Sequence, residues 1–123
     1  MALFDKGSTM SELPEFLHKS ALRKLDDFCR SAGQRPINPR RLDYRIAGLQ
    51  VHLFEVRMGT GKTTTTHERP MAQLRFNPEL NQWSLHHQNG SHWQLYLGVG
   101  PTLELDKLLT AINQDPLRFF RHD

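Results

Sequence analysis

Hydrophobic positions along this chain change their period twice. Leu17, Ala21, Leu25 and Phe28 recur at steps of four, four and three, and Leu22 and Cys29 widen the stripe. That spacing predicts a helix from Ser11 with one apolar face. Ser11 is placed to cap it, Glu12 and Glu15 suit its positive start, Pro14 falls in the first turn, and Gly33 is the stop. Residues 34–40, with two prolines, read as an extended connection.

The period then falls to two. Leu42, Tyr44 and Ile46 alternate with Arg41, Asp43 and Arg45, and Gly48-Leu49 supplies the glycine that a type II′ hairpin turn wants. That turn predicts Ile46 opposite Val51 and Tyr44 opposite Leu53, with His52, Phe54 and Val56 on the side of Arg41 and Arg45. Residues 58–69 read as a long polar loop. Pro70 is expected to open a third strand, with Ala72, Leu74 and Phe76 on one side and Met71, Gln73 and Arg75 on the other. Two further strands, about 82–87 and 91–98, form a hairpin. A two-residue Asn89-Gly90 loop would put Trp83 and Leu85 on the face opposite Trp93 and Leu95. A three-residue loop, Gln88-Asn89-Gly90, pairs Leu85 with Trp93 and Trp83 with Leu95, gathers both tryptophans on one apolar face, and is the preferred register.

Helical spacing returns at Leu105, Leu108, Leu109 and Ile112, with Thr102 as cap and Asp115-Pro116 as the end, and Phe119 and Phe120 are expected to tuck back against the body. The order predicts an α+β domain: N-terminal helix, five-stranded antiparallel sheet, C-terminal helix, both helices on one sheet face. Residues 1–10 read as a loose tail and 11–123 as the single domain.

Composition narrows the class. The chain has 123 residues, 37% of them hydrophobic and 24% charged, enough for one modest core. No run approaches the roughly 20 apolar residues of a membrane helix, and the first residues lack a signal-peptide pattern. One cysteine, Cys29, makes neither an internal disulfide nor a multi-cysteine zinc site; it falls on the helix's apolar stripe and reads as packing. A cytoplasmic protein is expected, with no membrane partner.

Several strings resemble a known family. They are Leu53-Phe54-Glu55-Val56-Arg57, then Pro70-Met71-Ala72-Gln73-Leu74-Arg75-Phe76, Trp83-Ser84-Leu85, Trp93 with Tyr96 three residues on, the Leu105–Ile112 stripe, and Asp115-Pro116 before Phe120. In order and spacing, from about Leu25 to Phe120, the chain resembles a family of short, uncharacterised bacterial proteins, a domain of unknown function. The resemblance implies one fold-sized unit and a bacterial source. It implies no activity and no site residue.

Candidate chemistry is thin. Gly59-Thr60-Gly61-Lys62-Thr63 looks like the end of a phosphate-binding loop, but Val56 stands where the pattern needs its first glycine. Threonines and Pro70 follow where it needs a helix, so the string reads as a polar loop. Glu55 lies on the apolar side of its strand and reads as a rim carboxylate paired with an arginine. In the preferred register His86 and His92 face each other and could share a zinc ion, although no convincing third ligand appears.

The strongest signal is collective. The predicted outward face gathers Arg41, Arg45, Arg75, His52, His86 and His92 with Phe54, Met71 and Tyr96, and Asp43 as its one acid. Arginines with aromatic rings suit single-stranded nucleic acid or a protein surface. The function expected is therefore a small non-catalytic binding module, with Arg41, Arg45, Phe54, Arg75 and Tyr96 as binding residues and no cofactor. The alternatives are a small metal-assisted hydrolase around His86 and His92, which alone calls for zinc, and a homodimer subunit with the sheet face as its interface.

Overall fold

Seven elements follow in the predicted order in a computed structural model that describes residues 12–32, 41–58, 66–115 and 119–120. They are α1 (Glu15–Ala32), β1 (Arg41–Ala47), β2 (Gln50–Met58), β3 (Thr66–Asn77), β4 (Gln82–Asn89), β5 (His92–Leu95) and α2 (Leu105–Gln114). The strands form one antiparallel meander, β1-β2-β3-β4-β5. The expected N-terminal tail, the Ser11 cap, the Gly33 stop, residues 34–40 and most of the polar loop lie outside the described residues.

The core lies between the helices and one face of the sheet. Ala21 and Leu25 of α1 and Leu105, Leu108, Leu109 and Ile112 of α2 pack on Val51, Leu53, Ala72, Leu74, Phe76, Trp83 and Leu85. The helices also touch each other, with Lys24 3.5 Å from Asp106. Alternation in β1 puts Tyr44 on the α1 side, where its hydroxyl donates to Asp26 at 2.6 Å. Leu22, assigned to the apolar stripe, stays exposed at its edge.

Cys29 is half-buried against this core, and burial together with Asp43 and Asp26 pushes its thiol up to about 12. At neutral pH it stays protonated and is a poor nucleophile. Iodoacetamide is therefore expected to label Cys29 far more slowly in the folded protein than in denaturant; equal rates by mass spectrometry would contradict this packing.

The first hairpin has the predicted register: Gly48 takes φ +60°, Ile46 pairs with Val51 and Tyr44 with Leu53. Three later expectations are corrected. β3 begins at Thr66 rather than Pro70, and Pro70 sits inside the strand, opposite Phe54. Ala72 pairs with Leu53, so Met71 is the extra residue of a bulge. β3 pairs with β4 only from Gln73 to Asn77. An edge beside a bulge is where a strand tolerates a proline.

The second hairpin turns at Gly90-Ser91, with Gly90 at φ +64°. Gln88 pairs with Trp93 and His86 with Leu95, so the preferred register is overturned. Trp83 and Leu85 face the core, while Trp93 and Leu95 face away. Tyr96 brings a ring to the core instead, its N–H donating to the Leu85 carbonyl at 2.8 Å. Nor does Thr102 cap α2. Its backbone pairs with Trp83 in both directions, at 2.7 and 2.9 Å, and the helix begins at Leu105. Among the described residues no helix is long and apolar enough to cross a membrane.

Candidate functional site

Strand alternation and this register build a layer of side chains on the face that neither helix covers. One cross-sheet row runs through all five strands as Arg45, His52, Gln73, His86 and Leu95, each directly opposite the next. Beside it runs Gln50, Arg75 and Ser84. The row is not flat. The Trp93 ring on β5 lies edge-on to the His52 ring on β2, centroids 6.3 Å apart, although β3 and β4 stand between them. A flat sheet would hold β2 and β5 about 14 Å apart, so the sheet curls inward on this side. Gln73 and His86, between the two rings, are 3% and 8% exposed.

Polar contacts bind the layer laterally. The Arg45 guanidinium lies 4.4 Å over the Phe54 ring and forks onto the Glu68 carboxylate, with Nη1 donating to Oε1 at 2.8 Å and Nη2 to Oε2. Phe54 is consequently 6% exposed despite facing away from the core. The ion pair raises the Arg45 pKa and lowers that of Glu68. Arg75 Nε donates to Gln73 Oε1, and Gln73 Nε2 donates to Gln50 Oε1 at 3.4 Å.

Burial, then Arg75, then His87 hold His86 down at about 4; burial, Arg75 and Arg45 lower His52. Ser84 Oγ stands 2.9 Å from His86 Nε2, the spacing of a nucleophile and its base. A general base works best near the operating pH. Burial and the neighbouring Arg75 disfavour the imidazolium that would form if His86 took the hydroxyl proton.

Of the expected binding residues, Arg41, Arg45, Phe54 and Arg75 do share this face. Tyr96 does not: it is buried on the core side, because the Gly90-Ser91 turn reverses the parity assumed for β5. The same shift separates the histidine pair. His86 lies opposite Leu95 on the outer face, and His92 lies opposite Asn89 on the other. The geometry on which a shared zinc ion rested is not formed, and no three His, Cys, Asp or Glu among the described residues converge on a metal position. Glu68 joins Asp43 as a second acid on the face. Glu55 is buried opposite Leu42 and Arg69.

Sequence reasoning missed Trp93, Leu95 and Gln73 as site residues. The signal for the first two was present, since Gly90-Ser91 repeats the glycine-first turn of Gly48-Leu49.

These features define a class: a small α+β domain with helices on one side of an antiparallel meander and a mixed-charge, aromatic layer on the other. The chain belongs to the domain of unknown function DUF3024, whose family model matches residues 13–122. Comparison with curated proteins and with solved structures finds no match.

Proposed function

We propose that the protein is a non-catalytic interaction module that engages another protein through the outer face of its sheet. The observation that carries this reading is the make-up of that face. It holds arginine, histidine, tryptophan and phenylalanine, and no lysine among its described residues, while Met71, expected on this face, is the bulge residue and packs against the core instead. Protein interfaces are enriched in arginine and aromatic residues and depleted in lysine. With both histidines neutral, Arg41, Arg45 and Arg75 stand against Asp43 and Glu68, an excess of one positive charge. Single-stranded nucleic acid calls for more cation and for free ring faces, yet Arg45 is committed to Glu68 and roofs the Phe54 ring.

Five strands give a face about 24 Å by 20 Å, or about 500 Å². That falls short of the roughly 800 Å² per partner in a standard interface. The association is therefore transient, and an obligate homodimer is disfavoured. The single protonated thiol suits a reducing compartment, and we assign the module to the cytoplasm.

Immobilised protein is expected to retain a protein partner from a lysate of its source, and the purified partner to rebind with micromolar Kd. Arg41→Glu combined with Trp93→Ala, both outside the core cluster, should abolish retention with little change in melting temperature. Retention unaffected by that variant overturns the reading. Salt-graded binding of a labelled single-stranded oligonucleotide would replace it with nucleic acid, and a dimer by light scattering would replace it with self-association.

A further inference from the structure

At the β5 edge, where Leu95 ends the outer-face row, the second hairpin, the turn after it and Phe119 line a partly open cavity of about 480 Å³. Small-molecule sites run from about 300 to 1,000 Å³. Three rings form its walls. His87 stacks on Phe119, centroids 4.4 Å apart and planes 15° from parallel, and Tyr96 stands edge-on to both. Leu97 lies at the rim, 84% exposed, beside the amides of Asn89 and Gln94, which hydrogen-bond each other at 2.7 Å.

Two further observations mark this as a built site. His87 is nine-tenths buried, and among the described residues its Nδ1 has no hydrogen-bond partner. An orphaned polar atom of that kind is rare in folded proteins and costly. Gly98 keeps the Tyr96 ring in place, because a Cβ there would stand 2.5 Å from ring carbon and hydroxyl oxygen. The aromatic wall thus depends on a residue without a side chain.

We propose that this cavity binds an uncharged, planar aromatic molecule with a hydrogen-bonding edge, of the size of an indole or a nucleobase. Stacked and edge-on rings select a flat π-system over a saturated one. No Asp, Glu, Lys or Arg stands among the described residues that line the cavity, so a charged ligand would lose its hydration without compensation. His87 and the rim amides supply the polar contacts that fix orientation. The tail closes the wall, because Asp115 holds the backbone of Phe119 and Phe120.

The test is a ¹H–¹⁵N titration of the full chain with indole, phenol and adenine, and with cyclohexanol as a saturated control. At least one aromatic probe is expected to shift the amides of residues 87–98 and Phe119 saturably, with Kd below about 1 mM, while cyclohexanol does not. His87→Phe keeps the ring stack and should weaken binding about tenfold. Leu97→Ser, at an exposed position that leaves folding intact, should weaken it to a smaller degree. Three results overturn the proposal: no saturable shift in this cluster with any aromatic probe, cyclohexanol binding as tightly, or unchanged affinity in the folded variants. The outer-face variant Arg41→Glu with Trp93→Ala should leave probe affinity unchanged, which keeps this test separate from the interaction reading.

Discussion

Replacing Asp115 by alanine is expected to destabilise the fold by about 2–4 kcal/mol, the largest effect of any polar substitution described here. Asp115 ends α2 in the left-handed region, at φ +38° and ψ +58°, with its N–H donating to the Ala111 carbonyl at 2.9 Å. Its buried carboxylate then accepts the N–H of Phe119 at 2.7 Å on Oδ1 and that of Phe120 at 3.3 and 3.2 Å on its two oxygens. Those bonds fold the tail back so that Phe120 enters the core, 2% exposed, and Phe119 reaches His87. Alanine removes the acceptors, leaves two N–H groups unpaired, and is strained in a conformation that aspartate and asparagine tolerate. Asp115→Asn keeps an acceptor oxygen and the left-handed tolerance, so it should cost roughly half as much. Urea unfolding of both variants checks this. A loss below about 0.5 kcal/mol for alanine would mean that the tail is held by ring packing alone.

Acidification should loosen the outer face through His86. Its pKa in the fold, about 4, lies below its ordinary value of 6.5, chiefly through burial, then Arg75 and His87. As pH falls, the unfolded chain takes up this proton first. Stability from this group is therefore fully present above about 6.5 and is lost as pH falls through about 4. The loss is about 2 kcal/mol once the shift is discounted for solvent screening. His86→Gln preserves a partner for Ser84 but does not titrate. The stability difference between the two proteins, followed from pH 7 to pH 4 by denaturant unfolding, should shift in favour of the glutamine variant by that amount. A constant difference would contradict a neutral, buried His86.

The fold was legible wherever burial on one face enforced a period. The Leu17 to Phe28 spacing, the Arg41 to Ile46 alternation and the Leu105 to Ile112 stripe each name a core-facing side, and each forms as read. The first hairpin was legible too, because Gly48 has one sensible role. The second was not, since Ser91 to Gly98 carries large apolar residues at both parities, with Trp93 and Leu95 on one and Tyr96 on the other. Hydrophobicity alone therefore favoured the face that gathered both tryptophans. The chain instead buries Tyr96, using Gly98 to make room for its ring, and leaves Trp93 on the outer face.

That one reversal relocates much of the candidate site. It separates His86 from His92, removes Tyr96 from the binding face, and adds Trp93 and Leu95 to it. The Arg45–Glu68 pair was hidden for another reason: Glu68 was read as part of a loop, whereas β3 begins two residues before it. The clasp on the tail was equally invisible, because nothing in Asp115-Pro116 announces that the carboxylate reaches two N–H groups beyond the proline.

The interaction reading rests on a face that displays Trp93 while Trp83 is sealed in the core. Acrylamide quenching of two single-tryptophan proteins, Trp83→Phe and Trp93→Phe, measures this directly. The protein retaining only Trp93 should be quenched several-fold more efficiently than the one retaining only Trp83, and addition of the purified partner should protect it. Equal protection of both tryptophans in the free protein would place them on the same buried face and contradict the account.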